Sequence, residues 1–105
     1  MKLLNIDHVP GKDIEALDIV KGTVVHTKNV GRDFMAAMKT LVGGELVGYT
    51  QMLNEARQIA VKCMVDEAEA LGADAIVNVR YGTSSVMSGA AEVIAYGTAV
   101  KYVVK

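Results

Sequence analysis

Apolar and polar positions alternate along this chain with two different periods. From Asp18 to Val30 the residues are rich in Val, Ile and Thr, which suits a pleated, half-buried surface. Val20, Gly22, Val24 and His26 share one face there, and Ile19, Lys21, Thr23, Val25 and Thr27 share the other. The pattern predicts a strand. A shorter β segment is expected at Leu3 to Ile6, followed by a turn at Pro10-Gly11. Proline fixes φ for the first central turn position, and glycine supplies the positive φ of a type II second position. After Gly31-Arg32-Asp33 the period changes. Phe34, Met38 and Leu41 recur at helical spacing with Met35 and Val42, and Gly43-Gly44 ends that short helix.

A longer helical pattern runs from about Tyr49 to Leu71. Tyr49, Met52, Leu53, Ala56, Ala60, Cys63, Met64 and Leu71 fall within one apolar stripe, with Gln58, Lys62, Asp66 and Glu69 opposite. Gly72 supplies the stop. Two more strands are predicted. In Ala73 to Tyr81, Ala75, Val77 and Val79 share a face against Ile76, Asn78 and Arg80. The polar stretch Thr83 to Gly89 reads as the connection to the last strand. In that strand, Ala91 to Val104, Val93, Ala95, Gly97 and Ala99 oppose Ile94, Tyr96, Thr98, Val100 and Tyr102, so both faces are largely apolar. A helix covers only one side of a sheet, which leaves the other as a partner surface. The sum is one α+β domain over residues 1–105, an antiparallel sheet packed in two layers on a long helix, with a short helix beside it.

Composition narrows the function more by exclusion than by indication. The 105 residues carry a formal net charge of -1 and no Lys/Arg cluster, which argues against nucleic-acid binding. No apolar run reaches the ~20 residues of a membrane span. The segment Met1 to Asp7 turns acidic before a signal-peptide core forms, and the one cysteine makes no internal disulfide, so a cytoplasmic protein is expected. Sixteen valines and thirteen alanines, against one Phe and no Trp, provide limited burial per residue for so small a domain. A free terminal strand of this kind would be an aggregation hazard, so self-association is expected, with Tyr96, Val100 or Tyr102 between subunits.

Several residues carry potential chemistry. Asp7, His8, His26 and Cys63 are the donors a transition metal would prefer, although no CxxC or HxxxH spacing gathers them. Their ordinary readings are a backbone- or water-satisfied histidine for His26 and a small hydrophobe within the stripe for Cys63. Met35, Met38, Met52 and Met64 read as core filler before they read as soft ligands. No nucleophile elbow, P-loop or dinucleotide fingerprint is present, so no catalytic or cofactor-binding residues are assigned. Glu67 projects onto the stripe with Arg57 flanking it. Each then needs water or a partner such as Arg32, Asp33 or Asp74.

The pieces Gly31-Arg32-Asp33-Phe34, Leu41-Val42-Gly43-Gly44, Tyr49, Glu55 to Ala60, Ala70 to Ala75 and Gly97 to Lys101 occur in an order that resembles the YbjQ-like family of bacterial proteins, as does Val20-Lys21-Gly22. That family is often labelled heavy-metal-binding. The resemblance implies a dodecin-like subunit and a closed homo-oligomeric ring, five subunits being the expected number. It supplies a metal hypothesis without a matching ligand set. The expected function is therefore a non-enzymatic oligomer, either a scaffold or a binder of a small ligand. The alternatives are a metal-binding protein and an enzyme whose site forms between subunits.

Overall fold

The computed structural model describes residues 1–26, 45–87 and 90–104, with side chains at all of these except 26, 45–52, 85–87, 90 and 91. The short helix expected around Phe34 to Val42 lies outside the described residues, as do the side chains of Tyr49 and Met52. The described elements are β1 (Lys2–Leu3), β2 (Ile14–His26), α1 (Glu45–Ala70), β3 (Ala75–Met87) and β4 (Ala90–Tyr102). They form one four-stranded sheet in the order β1-β3-β4-β2, covered on one face by α1. The sheet is mixed, not purely antiparallel, because β1 runs parallel to β3 while β4 is antiparallel to both β2 and β3.

Helix α1 ends where glycine permits. Gly72 takes φ 77°, its N–H donates to Glu69 O at 3.0 Å, and the Ala73 N–H reaches Ala68 O at 3.1 Å. These two bonds form a Schellman motif and satisfy carbonyls that a helix end otherwise leaves open. The buried row of α1 is Ala56, Ala60, Met64 and Ala68, spaced by four and flanked by the half-buried Leu53, Val61 and Val65. The seat is therefore rotated by about 60° from the stripe expected above, at 100° per residue. Cys63 and Leu71 are exposed, so the reading of Cys63 as a core hydrophobe is corrected. Glu67 is exposed to water and needs no buried partner.

Small residues set the distance between the layers. A Cβ at Gly22 of β2 would lie 1.8 Å from Ala60 O and 2.7 Å from Met64 N, so the helix backbone rests directly on the strand there. Val20, Ala60, Met64, Ala68, Ile76, Val79, Ala95 and Ala99 form the core beneath α1.

A second, smaller core lies on the opposite face. Val9, Ala75, Val77 and Val100 are buried there, with Leu4, Ile14 and Tyr102 packed against them. The segment from Leu4 to Asp13 crosses this face as a strap. Leu4 N–H donates to Ile76 O, Val79 N–H to Leu4 O and Asn78 N–H to Ile6 O, each at 2.9 Å. Val9 to Lys12 forms the expected type II turn, with Gly11 at φ 77° and Lys12 N–H bonded to Val9 O at 3.0 Å.

Two irregularities explain why both cores draw on the same strands. The β3–β4 register shifts between Val77 and Arg80, where Asn78 takes φ 54°, and the β2–β4 register shifts between Ala16 and Asp18. Each places an extra residue on the outer strand, a β-bulge that swaps the faces beyond it. Ala75 and Val77 consequently face the strap while Val79 faces the helix, which corrects the expectation of one shared face. The polar stretch from Thr83 is also not a connection. Gly82 to Ser85 continue β3, paired with Ile94 to Ala91 of β4. Backbone pairing needs no apolar side chains, so polarity alone misplaced the strand end.

Candidate functional site

Beyond the strap, the outer face of the sheet is open. Register places Ile19 opposite Thr98, Lys21 opposite Tyr96, Thr23 opposite Ile94 and Val25 opposite Glu92, with Arg80 beside Tyr96 on the other flank. Directly paired residues share a face, so these side chains all point away from α1. Ile19 is 71% exposed, Val25 52% and Tyr96 41%. Among the described residues, the outer edge of β2 and the edge of β3 beyond Arg80 have no strand beside them. The chain measures 58 × 26 × 19 Å with a radius of gyration of 16.9 Å, against about 13 Å for a compact chain of this length.

Of the three interface residues expected in the last strand, only Tyr96 lies on this open face. Val100 is 1% exposed because the strap covers it within the subunit. Tyr102 is half-buried, with Lys12 Nζ 5.3 Å from its ring centroid. The expectation that Val100 packs between subunits is corrected on that ground.

The metal candidates are dispersed. Asp7 and His8 sit on the strap and meet each other, His8 Nδ1 lying 2.9 Å from Asp7 Oδ1 with both side chains largely exposed. The His8 ring holds the Asp7 carboxyl below the usual carboxylate range through that hydrogen bond and its charge. His26 ends β2. Asn78, bonded to Ile6, adjoins the level of Thr98 and Ile19, seven residues before His26 along β2, so roughly 23 Å separates them at 3.3 Å per residue. Cys63 is exposed on α1, across the sheet from the strap. Among the described residues no three His, Cys, Asp or Glu side chains converge, whereas a metal site ordinarily draws three or four donors together. The described donors of one chain therefore do not form a metal site among themselves.

A feature that the sequence patterns did not single out lies beside α1. Asn54, Arg57, Gln58, Val61 and Tyr81 line an open cleft of about 420 Å³ between the helix and the free part of β3. Tyr81 faces the helix because it is paired with Ala95, beyond the Asn78 bulge. The helical spacing of 54, 57, 58 and 61 was the available signal, but Tyr81 joins them only through the bulge.

These features define a small α+β fold, a four-stranded mixed sheet packed against one helix. The chain belongs to the YbjQ-like family, whose model matches residues 1–103 under the description "Putative heavy-metal-binding". It is 59% identical to a UPF0145 protein of Clostridium novyi over 101 residues, 96% of this chain and 98% of that one. A UPF0145 protein of Thermotoga maritima is 56% identical over 102 residues, 96% of each chain. A crystal structure from Pediococcus pentosaceus, described as a protein with unknown function of the DUF74 family, superposes with a TM-score of 0.59 and 18% identity. It covers 98% of both chains, and the likeness is one of fold.

Proposed function

We propose that the protein is a non-enzymatic subunit of a closed homo-oligomeric ring, five-membered as the resemblance implies, that binds a small ligand. The observation that carries this reading is the open outer face with Ile19, Val25 and Tyr96, continued by the unpaired edges of β2 and β3. Two different free edges on one subunit suit head-to-tail contact, which closes into a ring when the rotation allows it. Ring closure would also remove the edges that otherwise invite aggregation. Sedimentation equilibrium and native mass spectrometry at micromolar concentration test it. The expected mass is about 56 kDa, five times 11.2 kDa. A soluble monomer at that concentration refutes the ring.

The family description supports metal binding as a second reading. Because the described donors of one chain are dispersed, that reading needs further ligands beyond them, from another subunit or from elsewhere in the chain. Titration with zinc, copper and nickel decides it. Retention of a stoichiometric ion, lost when His8 and His26 are both changed to Ala, supports the reading. Absence of binding tighter than roughly micromolar, about −8 kcal/mol, removes it.

A further inference from the structure

The cleft beside α1 has a chemistry of its own. Arg57 is half-buried in it, and its guanidinium donates to Asn54 Oδ1 one turn earlier on the helix. Among the described residues the ion pairs are Asp7–His8 and Lys62–Asp66, so Arg57 has no carboxylate partner there. The remaining walls are the Gln58 amide, the Val61 side chain and Tyr81 on the strand. Among the described residues that line the cleft, none is acidic. Its volume of about 420 Å³ falls in the range of sites for small organic molecules, which combine apolar walls with a few polar groups that fix orientation.

Each wall selects for the same kind of guest. A guanidinium presents a planar fork of donors that matches a carboxylate or a phosphate with two parallel hydrogen bonds. The Asn54 and Gln58 amides add further donors beside it. Tyr81 and Val61 offer apolar surface to the body that carries the acid group. A cationic guest would meet Arg57 with no carboxylate among the described lining residues to offset the repulsion.

We propose that this cleft is a binding site for a small organic acid, a carboxylate or phosphate monoester on a planar apolar body, held by Arg57 and covered by Tyr81. This deepens the ligand-binding part of the function proposed above. Its argument does not use the ring, because the described lining residues belong to one chain.

The test is titration of the full-length, isotope-labelled protein with benzoate, phenyl phosphate, inorganic phosphate and benzylamine. Amide resonances report binding, and sedimentation of the same samples reports assembly separately. Benzoate and phenyl phosphate are expected to shift Asn54, Gln58 and Tyr81 saturably. Arg57→Met should weaken both by about tenfold or more, and Arg57→Lys should restore part of the loss. Tyr81→Ala removes an exposed side chain, so it serves if Arg57→Met fails to fold. It should weaken phenyl phosphate while leaving inorganic phosphate unchanged. Three results overturn the proposal: benzylamine binding as tightly as benzoate, unchanged affinities in a folded Arg57→Met, or no saturation by either acid up to roughly 10 mM.

Discussion

Replacing Gly22 with Ala tests the central packing contact with one added methyl group. The new Cβ would stand 1.8 Å from Ala60 O and 2.7 Å from Met64 N. Restoring a tolerable separation of ~3.2 Å requires the helix and strand to part by more than ~1 Å, because neither atom is a side chain that can swing aside. Even a radial gap of ~0.5–1 Å forfeits a quarter to a half of each dispersion contact along the interface. Ala60, Met64 and Ala68 would lose part of their contact with Val20 and Ala95. Overpacking ordinarily costs about 1–3 kcal/mol, and a clash with backbone belongs at or above the upper end. A loss near 3 kcal/mol lowers the melting temperature of a domain this size by about 12–24 °C. Gly82→Ala is the control. Its Cβ would meet Ile94 Cγ2 at 3.1 Å, a methyl that can yield, so its cost should stay below about 1 kcal/mol. Urea unfolding followed by circular dichroism measures both, at one protein concentration because assembly shifts apparent stability. If Gly22→Ala lies within about 0.5 kcal/mol of wild type, the helix does not rest on the strand as described.

Val100→Lys should now destabilise the subunit itself, by ~3 kcal/mol or more, since the strap and Val9 already bury that position. Ile19→Lys, on the open face, should leave circular dichroism unchanged and shift sedimentation toward smaller species. An effect of Val100→Lys on assembly alone would contradict the placement of the strap. The exposed Cys63 thiol should react with a disulfide reagent in the native protein, and a requirement for denaturant would put it back in the core. His8→Ala should return the Asp7 carboxyl toward its ordinary titration range in NMR. Because the folded pKa is depressed, the pair's contribution is present above the unfolded value and lost as pH falls through the folded one. Asp7 is fully exposed, so global stability should scarcely register that change.

Legibility in the sequence followed how local each determinant is. Pro10-Gly11 and Gly72 act within a few residues, and both appear where the chain pattern puts them, each glycine at φ 77°. The long helix was equally legible, although it begins at Glu45, one turn before the Tyr49 start of the expected stripe. Its buried side was only half visible. Cys63 counts as apolar by type, but the helix turns Val61, Val65 and Ala68 inward, and the backbone contact at Gly22 fixes that rotation. The strap was invisible to periodicity because its burial depends on bonds to Ile76, Asn78 and Val79, seventy residues on. Val100 therefore looked like an open surface. The arginine cleft was hidden for a similar reason, since Tyr81 reaches the helix side only after the bulge has exchanged the faces of β3.

That bulge behaves like a frameshift written into a strand. Upstream of Asn78 the even-numbered Ile76 faces the helix, and downstream the odd-numbered Val79 does. Deleting Asn78 closes that frame: Val79 then pairs with Gly97, and Val79, Arg80 and Tyr81 keep the faces they have. What such a deletion removes is the bond from Asn78 N–H to Ile6 O, so it should loosen the strap while the helix side of the sheet still packs. Asn78→Gly, which accepts φ 54° readily, should be tolerated with that bond kept. An insertion between Arg80 and Tyr81, with the register before it held, is the damaging change, because it turns Tyr81 and Thr83 outward and brings Gly82 and Ser84 toward the helix. Length is therefore most forgiving at the bulge and least forgiving in the regular pairing beyond it.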